Sequence, residues 1–272
     1  MIDGELMQAT QQLYEMFSRY ARPERMETDG GVVTQMEEPE LLATPLREIP
    51  IQAIDRYAVK AMTTWGDVDQ FKYFLPRILE LLAPGLDWGP EIILGKLDYA
   101  GWRSWSKGEQ AAVENYCRSL WSHVLTTAGC KAGGFLAGFA QICDDLQWFL
   151  TEWAQQLPQS PEATHGLLEF VVLDVGDDER GFTLLWLDMV GDGAIARSTV
   201  ESGQARRFKL GPWWEERGEQ ERQVLDWVFS PTTISSLEGA CTAHRIESEY
   251  DLEWTLKQLR GSSELYRLNR NA

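Results

Sequence analysis

The residues that could do chemistry in this 272-residue chain are few and scattered. Its densest acidic stretch is LDVGDDERG, with Asp174, Asp177, Asp178 and Glu179. A calcium loop starting at Asp177 would need glycine at its sixth position and glutamate at its twelfth. Phe182 and Asp188 stand there instead, so the stretch reads as a solvated acidic turn. Asp144 and Asp145, with Glu152 two helical turns on, are the residue types that hold magnesium, but a second acidic helix motif to complete such a site is missing. The histidines, His123, His165 and His244, are each alone, with no HExxH and no pair four residues apart. Cys117, Cys130, Cys143 and Cys241 form no CxxC pair, and Cys117 and Cys143, among apolar residues on predicted helices, read as small buried hydrophobes in a reducing compartment. A Cys–His dyad built on Cys143 or Cys241 would have to be assembled by the fold. Gly191-Asp192-Gly193 is a turn outside any strand–glycine–helix context, and neither GxSxG nor a P-loop occurs. The expectation is a protein without catalytic residues, metal or cofactor. The alternative is an enzyme with an unrecognised site on Asp144, Asp145 or Cys143.

Charge and tryptophan carry the remaining signal. The net charge is −17, and residues 159–272 are the most acidic part, with 20 acids against 12 bases. Nucleic acid and anionic membrane surfaces are therefore poor partners, because their phosphates need Lys and Arg. A basic protein is a good one. Twelve tryptophans are spread over the chain. Trp121, Trp148 and Trp227 lie among periodic apolar positions and read as core. Trp213 and Trp214 are adjacent, so they cannot both face one core. Trp102 and Trp105 flank a Gly/Ser turn and are further candidates for a surface rim. Tryptophan anchors binding interfaces because it buries a large area at little entropy cost.

The elements that must position these residues are helical. Apolar spacing predicts helices over 3–20, from 51 onward, over 68–82 with Asp67 as cap, over 106–127 and over 134–156. Pro76 is expected to kink or divide the third of these. Ser106 and Glu109 form an S-x-x-E capping box, and Val113, Cys117, Leu120, Trp121 and Val124 share the apolar face that follows. LLEFVVLDV and GFTLLWLDMV, within residues 167–190, read as two helices separated by GDDERG, since Glu169 and Asp174 would spoil both faces of a strand. Residues 191–212 read as irregular. Further helices are expected over 213–229, from Pro231, and over about 250–259. The expected fold is all-α, with antiparallel helical pairs in a compact bundle or an irregular HEAT-like α-solenoid and no convincing strand. LPQSPEA divides an N-terminal helical region, 1–157, from an acidic C-terminal one, 158–272, the two expected to form one continuous domain. MIDGELMQ has no apolar run and no 18-residue apolar segment occurs, which leads to the expectation of a cytoplasmic protein.

Three stretches carry a resemblance. PLREIPIQAIDRYAVKAMTTWGDVDQFKYFLPRILELL, from Pro45 to Leu82, resembles a segment of a family of uncharacterised bacterial cytoplasmic all-helical proteins. GKLDYAGWRSWSKGEQAAVENYCRSLW extends the likeness, and QVLDWVFSPTTISSLEGAC is similar more loosely. The resemblance implies a cysteine cluster shortly after RPERMET. Asp29-Gly30-Gly31-Val32 stands there, so a metal or redox role of that cluster is absent or lost. The family lends no activity and no functional residue.

These observations lead to an expected function. It is a non-enzymatic acidic binding protein, most concretely an immunity or antitoxin protein that occludes the active site of a basic toxin domain. Its expected contact residues are Asp177, Asp178, Glu179, Trp213, Trp214, Glu215 and Glu216. A helical adaptor or scaffold fits the same features.

Overall fold

A computed structural model describes residues 4–26, 37–83, 89–177, 208–246 and 252–270. Twelve α-helices, three short 3₁₀ turns and one two-stranded ribbon lie among them, so the all-α expectation holds. The chain falls into two compact units, Met1–His123 and Val124–Ala272.

The first unit holds α1 (Gly4–Phe17), α2 (Glu37–Ala43), α3 (Ile51–Lys60), α4 (Val68–Leu82), α5 (Pro90–Tyr99) and α6 (Lys107–Val124), whose last residue crosses the division. Helix α4 packs against α1 and α3, and α3 also meets α2 and α5. Asp67 caps α4 as expected, and the cap is reciprocal: its carboxylate accepts from Gln70 N (2.9 Å), and the Gln70 side chain accepts from Asp67 N (3.3 Å). Pro76 does not divide this helix. It removes one backbone donor, but Phe71, Phe74 and Leu75 before it and Ile78, Leu79 and Leu82 after it are all buried on one continuous face. The packing of both halves outweighs the lost bond. Ser106 and Glu109 close the capping box of α6 as the spacing predicts. Every residue of its expected apolar face is buried, including Cys117 and Trp121.

The second unit holds α7 (Ala132–Ile142), α8 (Gln147–Gln156), α9 (Pro161–Leu173), β1 (Val175–Asp177), β2 (Phe208–Leu210), α10 (Gly218–Val228), α11 (Pro231–His244) and α12 (Leu252–Arg270). Ser160 and Ser230 cap α9 and α11, each followed by proline at the first helical position. Ser160 also donates its hydroxyl to Leu125 O (2.7 Å). LPQSPEA, where the division into 1–157 and 158–272 was expected, therefore lies inside this unit. Helix α9 packs against α7, α8 and α11. Trp153 is fully buried beside Phe170 and Trp227 and donates its indole N–H to Ala163 O (2.9 Å). Trp121 is core as expected, whereas Trp148 and Trp227 are only partly buried.

Three further expectations need correction. The helix predicted over 134–156 is two helices with a break at 143–146. LLEFVV is helical as expected, but β1 follows it, and it pairs antiparallel with β2 in the register Val175↔Leu210, Asp177↔Phe208. Val175, Phe208 and Leu210 are buried and Lys209 between them is not, the alternation of a half-covered strand. Phe208 packs at a tilt on Phe229 (4.8 Å between centroids), which packs at a tilt on Tyr266 (4.9 Å). This tertiary aromatic cluster holds a strand in a region that reads as irregular. Residues 178–190 and 191–207 lie outside the described residues. The last helix runs on past Leu259 to Arg270, with Ser263 donating to Phe229 O (2.6 Å).

Candidate functional site

The site starts where β2 ends. Gly211 and Pro212 lead into a single 3₁₀ turn, Pro212–Trp214. Its bonds are Trp214 N to Gly211 O (3.1 Å) and Glu215 N to Pro212 O (3.2 Å). The helix expected from residue 213 begins only at Gly218. In a 3₁₀ turn successive side chains point about 120° apart. The adjacent tryptophans accordingly separate: Trp214 is 3% exposed and Trp213 45% exposed. Glu216, at φ 66°, takes the left-handed conformation that turns the chain toward α10.

Side-chain amides make this turn rigid. Gln141, near the end of α7, donates to Trp213 O (2.8 Å) and accepts from the Arg217 guanidinium (3.1 Å). Glu221 of α10 accepts from Leu210 N (2.8 Å), which fastens β2 to that helix. The same helix explains the break after α7. Gln220 donates to Cys143 O (3.0 Å), and Gln223 accepts from Leu146 N (2.8 Å). Asp145 accepts from Gln147 N (2.8 Å) and so serves as a local cap for α8. Two glutamines of α10 thus take over backbone groups that a continuous helix would have paired internally.

The result joins residues that sequence reading kept apart. Asp144 and Asp145, considered as a metal pair, lie on a turn clasped to the helix that follows Trp213. Asp144, Asp145, Glu215, Glu216 and Glu219 are all exposed. The bases on these segments are engaged within the unit: Arg217 on Gln141, and Arg222 on Glu219 (2.5 Å). An exposed indole therefore stands on connected segments bearing five exposed carboxylates. Gln141, Gln220 and Gln223 are the positioning residues that sequence reading missed. Their only signal is polarity near helix ends, which many solvated glutamines share.

The other expected residues fall out as follows. Asp177 pairs through its backbone with Phe208, at the end of the ribbon away from Trp213. Asp178 and Glu179 lie outside the described residues. Trp102 and Trp105 do not rim a surface: both are buried, at 5% and 7% exposure. Trp105 donates to Ala100 O (3.1 Å) and lies under the Lys72 ammonium, 4.4 Å from its ring centroid. None of the four cysteines forms a disulfide among the described residues, and Cys117 and Cys241 are buried. Burial pushes the Cys241 thiol up to about 11 and also raises that of Cys130, the opposite of an activated nucleophile. Among the described residues no three His, Cys, Asp or Glu side chains cluster in a way that could hold a metal ion.

Comparison with known proteins finds no matching family model, no matching curated protein and no matching solved structure. No described helix is long and apolar enough to cross a membrane.

Proposed function

We propose that the protein is a non-enzymatic acidic binding protein that docks a basic protein surface on the Trp213 platform. The observation that carries this reading is Trp213. It is the exposed tryptophan among the described residues, on a turn whose backbone is held by Gln141 and whose neighbour Trp214 anchors the core. A half-exposed indole on a hydrogen-bonded turn, followed in the chain by the exposed Glu215 and Glu216, loses little entropy on binding and attracts cationic groups. The net charge of −17 adds long-range steering toward a basic partner. In its most concrete form the reading is an immunity or antitoxin protein that covers the active site of a basic toxin domain.

The experiment is a pull-down with the tagged full chain from its native host at low and moderate salt, repeated with Trp213→Ala and with Glu215→Lys/Glu216→Lys. The reading expects one stoichiometric basic partner whose activity is titrated to zero by this protein. It expects about 30-fold weaker binding for Trp213→Ala, the size of a tryptophan hot spot. It expects a slower association rate for the charge reversal. A partner that is acidic, or binding that neither variant changes, would sink it.

A further inference from the structure

The first unit contains a cavity of about 210 Å³ between α1, the 3₁₀ turn Leu46–Glu48, α4 and α6. Its apolar lining is Leu6, Ala83, Tyr116 and the exposed Met7. Two charged side chains face each other across Tyr14, Arg47 and Glu80. The electrostatics of this pair select the occupant.

Glu80 is already neutralised. Arg77 donates to it (2.6 Å) and so does the Tyr14 hydroxyl (2.6 Å). Burial, together with that carboxylate, holds Tyr14 protonated far above the ordinary range of a phenol, so its proton stays on this bond. Arg47 is different. Its guanidinium carbon lies 3.6 Å from the Tyr14 ring centroid, stacked on the ring. One N–H donates to Gln11 Oε1 (2.6 Å). A guanidinium has five N–H donors in a planar fork, and Arg47 has no carboxylate within ion-pair distance among the described residues. In a chain with 42 acids against 25 bases, an arginine stacked on a ring beside a cavity, with no carboxylate partner among the described residues, stands out from the rest of the charge pattern.

We propose that this cavity binds a small organic monocarboxylate, with its carboxylate on the Arg47 fork and a short apolar body over Leu6, Ala83 and Tyr116. The volume lies below the roughly 300–1,000 Å³ of drug-sized pockets, which limits the body to a short aliphatic chain or a single aromatic ring. Stacking on Tyr14 pre-orients the guanidinium, so little entropy is lost when the carboxylate docks. Met7 supplies an unbranched, adaptable side chain to the lining. A zwitterion is the poorer fit, since its ammonium group would have to compete with Arg77 for Glu80. This site lies wholly in the first unit and is independent of the Trp213 reading.

The test is saturation-transfer NMR on the full chain with benzoate and butyrate, their amides benzamide and butyramide, and phenylalanine as the zwitterion. The proposal expects each acid to bind about ten-fold tighter than its amide and than phenylalanine. Arg47→Gln should erase the preference for acid over amide, and Arg47→Lys should keep part of it. Thr10→Leu, which fills the cavity from α1 and leaves Arg47 in place, should abolish binding of acids and amides alike. Circular dichroism and melting curves identical to wild type establish that each variant is folded. Equal binding of acid and amide, an acid preference that survives Arg47→Gln, tighter binding of phenylalanine, or no saturable binding of either acid overturns the proposal.

Discussion

Glu109→Gln should destabilise the first unit in a way that depends on pH. The Glu109 side chain is only 2% exposed. Its Oε1 takes the Tyr20 hydroxyl, the Arg19 guanidinium (2.9 Å) and the Lys72 ammonium (3.3 Å), and its Oε2 takes Ser106 N (2.8 Å). Burial by itself raises the carboxyl pKa, but the hydrogen bonds from Tyr20, Ser106 and Arg19 outweigh it and hold the group at about 2, against 4.5 for a free glutamate. The folded value is depressed, so the stabilisation is fully present above 4.5 and is lost as pH falls through the folded value of about 2. That gap corresponds to roughly 3 kcal/mol; with Arg19 half-exposed and screened, about 2 kcal/mol is the expected loss in Glu109→Gln at neutral pH. The assay is urea unfolding of wild type and variant at neutral pH and at steps down to about pH 2.5. The two stabilities should converge toward the acid end. Glu109→Gln/Lys72→Met, which removes both buried charges, should recover part of the loss. A difference that stays constant from neutral pH to about 2.5 would refute the assignment of the stabilisation to an ionised Glu109.

Trp214→Ala should cost about 3–5 kcal/mol in thermal or urea unfolding, because it empties a buried site, whereas Trp213→Ala should stay within about 0.5 kcal/mol. Similar losses for the two would contradict their opposite burial. Gln223→Leu should cost about 1–3 kcal/mol by leaving Leu146 N–H without its partner, and should speed amide exchange at Leu146 and Gln147, as read by hydrogen exchange. Alkylation with iodoacetamide at about pH 8 should spare Cys117 and Cys241 in the folded protein and label all four thiols after denaturation, since both are buried and the Cys241 thiol titrates near 11. Rapid labelling of Cys241 would show that its pocket opens. Asp67→Ala should cost about 0.5–2 kcal/mol by breaking the capping box of α4 in a denaturant titration.

What the sequence determined by itself is what local chemistry determines. Helical spacing and start signals were enough for α1, α4, α6 and α11, because a cap such as Asp67 or Ser106 satisfies backbone groups within one turn of itself. Adjacency alone required Trp213 and Trp214 to face apart. Sequence reading went wrong where distant residues decide. Phe208 is a strand residue because Phe229 and Tyr266 pack on it and β1 pairs with it, none of which is near in the chain. The helix after Phe135 ends at Ile142 because Gln220 and Gln223, some 77 residues further on, take over the backbone groups at Cys143 and Leu146. Pro76 stays inside α4 because packing on both sides outweighs one missing donor. Trp102 and Trp105, beside a turn, are buried by neighbours that only the tertiary fold brings up. The same holds for both candidate sites. The sequence contains Asp144, Trp213, Arg47 and Glu80, but only folding clasps the first two segments together, stacks Arg47 on Tyr14 and brings the Tyr14 hydroxyl to Glu80. Long-range side-chain hydrogen bonds and charge pairing follow from geometry in three dimensions, and one-dimensional spacing holds no record of them.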